Sequence, residues 1–378
     1  MSGIYLHIPF CKKKCKYCDF YSIDKYNNIL VEDFTEAIIK ELSNRKEELQ
    51  ASNPETIFIG GGTPNLLPLP LLNKILSKIE QSLNLSLIKE YTIESNPEYI
   101  NKDKLNLFYD KGINRISIGV QSFNDNHLSL IGRITNAKTN YKAIELIKES
   151  SIKELNCDMI FGMPEQNLKD LDYDLNQIIE KNPQHISYYG LTVEEYTPLN
   201  KMVEKGLISI PDDENTGNMY LKIINTLKVN DYNMYEISNF SKKGFHSKHN
   251  LNYWNRGLYY GLGPSAVTFN GDTRYANRDS VIEYINSINT NKSPIKYSEK
   301  LSPEQELIET IMLSLRKVEG LYLTAFKDKF QFDLQNYIKS YFPAFLDDKL
   351  VISNNRLYLS REGFLLYDYI IDMIISKL

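Results

Sequence analysis

Short apolar segments alternate with longer amphipathic segments over the first half of the chain. The apolar segments are almost continuous, as in strands covered on both faces, and predict β-strands at 4–10, 56–60, 91–95, 115–120, 154–161 and 185–191. The segments between and after them predict helices near 30–50, 69–83, 101–111, 137–150, 167–181 and 212–229. Strands that alternate with helices form parallel sheets. This pattern therefore predicts an α/β fold with a partial (β/α)6 barrel.

The second half of the chain has a different pattern. Residues 194–230 resemble an inserted pair of helices, and the tail contains helical patterns at 303–317, 323–329 and 333–341. Strands at 350–353 and 356–359 flank Asn354 and Asn355, which favour a two-residue hairpin turn, and a last helix is predicted at 361–377. This order is typical of a winged-helix-like module. We therefore predict a barrel at 1–235, a linking segment at 236–300 that packs on it, a hinge near 294–303 and a C-terminal domain at 301–378.

Composition and charge exclude several classes of partner. The 378 residues are 42% hydrophobic and 24% charged, as expected for a packed protein with one large domain and a smaller one. The net charge of −4 gives no basic field for nucleic acid, and the tail, with 9 basic and 11 acidic residues, lacks a basic stripe. No apolar run approaches the ~18 residues of a membrane span, although docking at a membrane face stays open. Without a signal-peptide pattern, we expect the chain in a reducing cytoplasm.

Three of the four cysteines lie in one loop after the first predicted strand. Cys11, Cys15 and Cys18 have the spacing C-x3-C-x2-C, so their thiolates can converge on one inorganic centre. A [4Fe–4S] cluster normally takes four cysteine ligands, so three would leave one iron open. An open metal position is where a catalytic site receives its substrate or cofactor. Two other interpretations remain at this point: a disulfide pair with a spare thiol, and a structural zinc site with His7 as fourth ligand.

Further candidate residues follow the next two strands. Gly60-Gly61-Gly62-Thr63-Pro64 follows the second strand, and successive glycines let the backbone approach a ligand closely. Glu94 ends the third strand, where a carboxylate is also commonly a solvated or helix-capping group. The chemistry of (β/α) barrels lies at the carboxyl ends of their strands, so we expect these residues on the same side as the cysteines.

The sequence around the cysteines resembles the cluster motif of radical S-adenosylmethionine (SAM) enzymes. Tyr5-x-His7-x-Pro9-Phe10-Cys11-x3-Cys15-x-Tyr17-Cys18 resembles the branch that contains oxygen-independent coproporphyrinogen III dehydrogenase and its relatives. The resemblance extends over almost the whole chain and implies a [4Fe–4S] cluster on the three cysteines, with SAM bound to the open iron. It also implies that the following residues bind cofactor: Tyr5, Tyr17, Gly61, Gly62, Thr63, Glu94, Gln121, Arg133, Asp158 and Thr192.

Two positions near this set are not among the implied ligands. Thr135 stands where the relatives usually have histidine after the Gly-Arg pair, a departure that puts none of the implied ligands in doubt. Cys157 is isolated in an apolar run, so we expect a buried free thiol and not a ligand.

A motif in the second half concerns heme. A resemblance to the H-N-x-x-Y-W motif is found in His249-Asn250-Leu251-Asn252-Tyr253-Trp254. In the heme chaperones of this family, that motif is associated with heme binding. An arbitrary histidine in a polar loop is more often an ordinary surface residue. An imidazole beside aromatic rings is, however, also a way to hold heme iron and a flat macrocycle. His249 is therefore the expected heme-binding residue.

Two functions compete within this family. The decarboxylating members resemble C-x3-C-x2-C-x-C, but Phe20 occupies the last position here, and only ten residues precede Cys11 where those members have a long extension. These differences favour a heme chaperone that carries the cluster and SAM and delivers heme to apo-hemoproteins. The alternative is the radical-based decarboxylation of coproporphyrinogen III in porphyrin metabolism. Whether the bound SAM is cleaved stays open.

Overall fold

The protein is described by a computed structural model for residues 1–346 and 348–378. Its strands are β1 (Ser2–Ile8), β2 (Thr56–Gly61), β3 (Glu90–Ser95), β4 (Arg115–Gln121), β5 (Glu154–Phe161), β6 (His185–Gly190), β7 (Asn233–Glu236), β8 (Asn239–Ser241), β9 (Leu258–Leu262), β10 (Val267–Phe269), β11 (Thr273–Asn277), β12 (Ile295–Lys300), β13 (Leu321–Tyr322), β14 (Leu350–Ser353) and β15 (Arg356–Leu359).

The α-helices cover most of the segments with helical periodicity. They are α1 (Asn28–Asn44), α2 (Lys46–Ala51), α3 (Leu69–Ser82), α4 (Lys102–Asp110), α5 (Asp125–Leu130), α6 (Ala137–Lys148), α7 (Leu168–Lys181), α8 (Pro198–Glu204), α9 (Asp213–Val229), α10 (Lys248–Trp254), α11 (Val281–Asn289), α12 (Pro303–Leu315), α13 (Leu323–Phe330), α14 (Leu334–Tyr341), α15 (Arg361–Leu365) and α16 (Tyr367–Ile375). The single helix expected at 30–50 is divided at Arg45, and the last one at Leu366.

One large sheet forms the barrel. Its strand order is β12-β11-β10-β9-β1-β2-β3-β4-β5-β6-β8-β7, and β1 to β6 pair in parallel in chain order, which confirms the predicted fold class. The segment 236–300 contributes to the same sheet, since β9 pairs in parallel with β1 and β8 pairs antiparallel with β6. It is therefore continuous with the barrel sheet.

The barrel strands are less uniformly apolar than their sequences suggest. On β4, Ile116 and Ile118 belong to the hydrophobic core, whereas Ser117 between them bonds to Asp158 on β5. Because side chains alternate across a strand, the apolar positions pack in the main core and the intervening polar positions face the barrel interior. The interior is consequently lined with groups that can bind a polar ligand.

The segment that contains α10 packs against the amino ends of β1, β2 and β3. The buried carboxylate of Glu90, at the start of β3, accepts hydrogen bonds from the backbone N–H groups of Lys248 (2.7 Å) and His249 (3.1 Å). A carboxylate in this position stabilises a helix N-terminus. The hydroxyl of Tyr235 accepts a further bond from the Ser247 N–H (3.1 Å).

A smaller C-terminal unit follows. It has a three-stranded sheet in the order β13-β15-β14, and Asn354 and Asn355 have positive φ values of 50° and 62°, as expected for a primed hairpin turn. The Arg316 guanidinium lies 4.6 Å from the ring centre of Trp254 and joins this unit to the barrel. Within the described ranges, no helix has the length and hydropathy needed to cross a membrane.

Candidate functional site

The three loop cysteines lie at the carboxyl end of β1. The Cys11 N–H donates to the Ile23 carbonyl (3.0 Å), which lies further along the same connection, and the Lys16 N–H donates to the Ile131 carbonyl (2.9 Å), which follows α5. Cys11, Cys15 and Cys18 are free thiols of intermediate exposure, and no disulfide joins them. The loop is thus held in place by its backbone while the thiols stay available.

Two of the thiols already receive polar contacts. The Thr63 hydroxyl donates to Cys11 Sγ (3.6 Å), and Arg133 Nη1 donates to Cys15 Sγ (3.8 Å). Burial raises the pKa of the Cys18 thiol to about 11, and a coordinating metal ion would deprotonate such a thiol. Donors directed at sulfur, in a loop fixed by its backbone, fit an iron–sulfur cluster.

The other candidate metal ligand, His7, has a hydrogen-bond partner at each ring nitrogen. Its Nδ1 lies 2.9 Å from the Tyr5 hydroxyl and its Nε2 lies 2.9 Å from the Tyr21 carbonyl oxygen. Burial lowers the pKa of His7 to about 4. With both ring nitrogens in hydrogen bonds, His7 does not complete a zinc site in this conformation.

The glycine run passes close to the cysteine loop. Gly61 has φ +114°, and a Cβ atom there would lie 2.8 Å from the His7 ring. At Gly62, a Cβ would lie 2.6 Å from the Phe10 carbonyl oxygen and 3.0 Å from Cys11 Sγ. Only glycine fits these positions, so the backbone of residues 60–62 borders the cluster loop without side chains between them.

A polar network joins the ends of three strands to the cysteines. Arg133 Nη2 donates to the Gly119 carbonyl (2.8 Å) and to Asn96 Oδ1 (3.1 Å), and Asn96 Nδ2 donates to the Thr63 hydroxyl (3.1 Å). Thr63 in turn contacts Cys11. Sequence reasoning missed Asn96, although it lies two residues after Glu94 in the same strand-end segment.

Glu94 faces the barrel interior. Its Oε2 accepts a hydrogen bond from the Gly61 N–H (3.0 Å), and a Cβ on Gly60 would lie 2.8 Å from the same oxygen. Burial raises the pKa of Glu94 to about 8, the negative charge of Asp158 adds to this effect, and the Gly61 N–H opposes it. Burial and the charge of Asp158 therefore favour the protonated form of this carboxyl group at neutral pH.

Asp158 is held by polar neighbours that sequence reasoning did not identify. Its carboxylate accepts hydrogen bonds from the Ser117 hydroxyl (2.9 Å) and from Asn156 Nδ2 (2.8 Å). Burial raises the pKa of Asp158, and these hydrogen bonds counteract the shift. Each of these residues occupies an inward position of β4 or β5, so period-two alternation along the strands was the signal that could have found them.

The remaining predicted residues, Gln121, Tyr17 and Thr192, differ in burial and in their contacts. Gln121 is buried at a bulge in β4 with φ 66°, a backbone strain of the kind found at binding sites. Tyr17 packs against the small apolar cluster of Ile131, Ile160 and Met163. Thr192 is exposed after β6. Contacts thus link Cys11 and Cys15 to the glycine run, Arg133 and Glu94. Thr192 has no side-chain hydrogen bond within the described part of the chain.

An open aromatic pocket lies between the cysteine loop and α10. Its volume is about 440 Å³, within the range of ligand pockets. Phe20, the residue in place of the decarboxylase cysteine, is 74% exposed and borders it. The lining consists of Tyr5, His7, Phe20, Tyr21, Tyr253, Trp254, Tyr259, Ser265 and Val267. The aromatic rings give this pocket the apolar surface that a flat macrocycle requires.

His249 does not line this pocket. It is 1% exposed, its Nδ1 lies 2.8 Å from the Thr56 hydroxyl, and its Nε2 lies 3.0 Å from the Tyr253 hydroxyl. Its ring stacks on Phe58 at a centroid distance of 5.1 Å, and burial lowers its pKa to about 3. In this conformation neither ring nitrogen is open to an iron atom, contrary to the simplest expectation from the motif.

Comparison with known proteins agrees with the resemblance seen in the sequence. Residues 5–178 match the model of the radical SAM superfamily, and residues 301–366 match the HemN C-terminal domain. The heme chaperone HemW of Bacillus subtilis (strain 168) is 33% identical over the full length of both chains, and that of Lactococcus lactis subsp. lactis (strain IL1403) is 32% identical over 96% of this chain and 94% of its own.

A solved structure shares the fold. Coproporphyrinogen III oxidase (HemN) from Escherichia coli, a radical SAM enzyme, superposes with a TM-score of 0.85 over 100% of this chain and 90% of its own. At 19% sequence identity, this similarity establishes the fold alone.

Proposed function

The chain belongs to the HemW family of radical SAM proteins, and on this premise we propose that it is a heme chaperone. In this role it binds heme, carries a [4Fe–4S] cluster and SAM, and transfers the heme to apo-hemoproteins. A reducing cytoplasm would keep its three loop thiols available for iron.

The cysteine loop and the strand ends divide the cofactor-binding tasks. Cys11, Cys15 and Cys18 would hold three irons of the cluster, and the backbone at Gly61 and Gly62 leaves room beside them. When bound, a cluster with an open iron supplies a redox-active position for the amino and carboxylate groups of SAM.

The barrel interior would hold the rest of SAM. We assign to Glu94 the hydrogen bonds from the ribose hydroxyls, which acidic residues accept from other nucleosides. We include in this pocket the remaining residues implied by the resemblance, which are Tyr5, Tyr17, Thr63, Gln121, Arg133, Asp158 and Thr192.

The observation that carries the proposal is the aromatic pocket between the cysteine loop and α10. Phe20 and Tyr21 lie on the cysteine loop, and Tyr253 and Trp254 belong to the H-N-x-x-Y-W segment. The pocket therefore connects the two motifs that distinguish this chain from the decarboxylases. An aromatic side chain at position 20 adds surface for a porphyrin where those enzymes are expected to have a thiol.

The competing function is the oxidative decarboxylation of coproporphyrinogen III. The fold shared with HemN is the observation that favours it, but one fold can support different functions. The absence of the extra cysteine at position 20 argues for the chaperone.

One experiment separates the two functions. Anaerobically reconstituted protein is titrated with heme, then mixed with an apo-hemoprotein, and transfer is followed by the Soret band of the recipient. A parallel reaction contains coproporphyrinogen III, SAM and a reductant. We expect about one heme per chain, transfer to the recipient and no decarboxylated product. Decarboxylation with SAM turnover, without heme transfer, would show that the protein is the decarboxylating enzyme and not a heme chaperone.

A further inference from the structure

Two tyrosine–histidine pairs border the aromatic pocket. On α10, His249 and Tyr253 are one helical turn apart, and His249 Nε2 lies 3.0 Å from the Tyr253 hydroxyl. On β1, the Tyr5 hydroxyl lies 2.9 Å from His7 Nδ1. Both tyrosines line the pocket, whereas His249 lies behind Tyr253. Of the His249–Tyr253 pair, Tyr253 is therefore the residue that borders the space in which a heme could lie.

The Tyr5–His7 pair is fixed in one protonation pattern. His7 Nε2 bonds to the Tyr21 carbonyl oxygen (2.9 Å), and a carbonyl oxygen can only accept. The ring proton of His7 is therefore on Nε2, so Nδ1 must accept the O–H of Tyr5. A Tyr5 phenolate would face the lone pair of Nδ1, and this pair is consequently unsuited to ligate iron.

The Tyr253–His249 pair has no such restriction. His249 Nδ1 bonds to the hydroxyl of Thr56 (2.8 Å), and a hydroxyl can either donate or accept. Both neutral tautomers of His249 are therefore compatible with the surroundings. In one tautomer Nε2 accepts the phenol O–H of Tyr253, and in the other it donates an N–H to a phenolate.

We propose that Tyr253 is the axial ligand of ferric heme iron and that His249 is a positioning residue behind it. The assignment rests on the proposed heme-binding function. On binding, the O–H bond of Tyr253 breaks, an oxygen–iron bond forms, and one proton leaves to solvent with no change in oxidation state. His249 ends as the Nε2–H tautomer and donates to the ligating oxygen, while the Thr56 hydroxyl donates to Nδ1. Phenolate is an established protein ligand of heme iron.

The oxidation state of the heme gives an independent consequence. A hard, anionic oxygen ligand prefers ferric over ferrous iron. The protein should therefore bind ferric heme about tenfold more tightly than ferrous heme, and reduction should weaken heme binding. A neutral imidazole ligand lacks the negative charge and should give a smaller difference.

The test is the spectrum of ferric heme bound to full-length, cluster-reconstituted protein. The wild type should show a phenolate-to-iron charge-transfer band and a high-spin ferric resonance signal. Tyr253→Phe should lose both and lose the ferric preference, and Tyr253→His should convert the spectrum to an imidazole type. Tyr5→Phe and Tyr259→Phe should weaken heme binding but retain the phenolate signature.

His249 is tested by rescue. His249→Ala should shift the charge-transfer band and weaken ferric binding, and His249→Gln should restore much of both because its amide can donate in place of Nε2–H. The matched control is Tyr232→Phe, which removes a buried hydroxyl that donates to the Pro183 carbonyl (2.7 Å) away from the pocket. The iron–sulfur absorption of every variant reports that the chain is folded.

The outcomes separate a failure of the proposed heme-binding function from a failure of the ligand assignment. If the wild type binds no heme, the proposed function fails, and the ligand assignment fails with it. If the wild type binds heme and Tyr253→Phe keeps the same spectrum, the ligand assignment alone is overturned. An imidazole-type spectrum that only the His249 variants abolish would show that His249 is the axial ligand of the heme iron.

Discussion

Replacing Glu94 with glutamine should abolish most of the pH dependence of SAM binding. Burial and the charge of Asp158 raise the pKa of Glu94 to about 8, so most of the unliganded protein carries a neutral carboxyl group at pH 7. Ribose hydroxyls donate hydrogen bonds to a carboxylate, and the positive sulfonium of SAM also favours the ionised form. Binding should therefore remove a proton from Glu94.

The magnitude follows from the shifted pKa. A ligand that requires the carboxylate loses close to tenfold in apparent affinity per pH unit below that pKa. Glu94 is partly exposed to the barrel interior, so water screens the shift. We therefore expect the affinity of the wild type to rise about tenfold, or about 1.4 kcal/mol, between pH 6.5 and 8.5.

The assay is calorimetric titration of the reconstituted protein with SAM across this pH range. The amino group of SAM also titrates, so the informative quantity is the ratio of wild-type to Glu94→Gln affinity at each pH. Glutamine keeps the shape of the side chain but cannot ionise. A ratio that stays constant from pH 6.5 to 8.5 would show that SAM does not require the Glu94 carboxylate.

The same pKa predicts the stability of the unliganded protein. The folded state retains the Glu94 proton between about pH 4.5 and 8, whereas the unfolded state has lost it, so this group lowers stability as pH rises through that window. Glu94→Gln should therefore raise the melting temperature of the SAM-free protein at pH 8 relative to the wild type. The difference should disappear near pH 4.5, and a constant difference would contradict the assigned pKa.

The remaining predictions concern the cluster and its surroundings. Alanine at any one of the three loop cysteines should abolish loading of about four irons per chain. Replacing the buried Cys157 with alanine should leave the loading unchanged. Iron analysis of the reconstituted variants measures the loading, and purified protein that retained stoichiometric zinc would contradict the cluster. Gly61→Val should impair SAM binding more than Glu94→Ala, because φ is +114° and the new Cβ would meet the His7 ring at 2.8 Å; equal calorimetric affinities would refute this. Arg133→Lys should lose cluster iron to a chelator several-fold faster, because lysine cannot reproduce the paired contacts to Asn96 and Gly119; an unchanged rate would remove this role.

The cysteine motif, the barrel strands and one hairpin turn could be predicted from the sequence alone. The spacing of Cys11, Cys15 and Cys18 is set by a short loop, and the alternation of apolar and amphipathic segments gave the barrel strands to within a few residues. The turn at Asn354 and Asn355 was also predictable, because positive φ is a property of those two residues and their neighbours.

The hydrogen-bond partners on the inward face of the barrel could not be predicted from the sequence. The predicted strands looked almost continuously apolar, but Asp158 on β5 receives a hydrogen bond from Ser117 on β4 across 41 residues of sequence. Such pairs depend on the register between strands, and a shift of one residue would reverse which side chains face the interior. The partners of Asp158 therefore became visible only in the folded sheet.

The heme motif shows the same division between local and tertiary information. The sequence alone indicated that the segment containing His249, Tyr253 and Trp254 matters, because its residue types and spacing are local properties. Which of these side chains reaches the pocket depends on how α10 is rotated against β2 and β3. Thr56 and Glu90, nearly 200 and 160 residues away in sequence, fix that rotation through hydrogen bonds to His249. Contacts of this range decide that the imidazole is buried and that the phenol of Tyr253 lines the pocket.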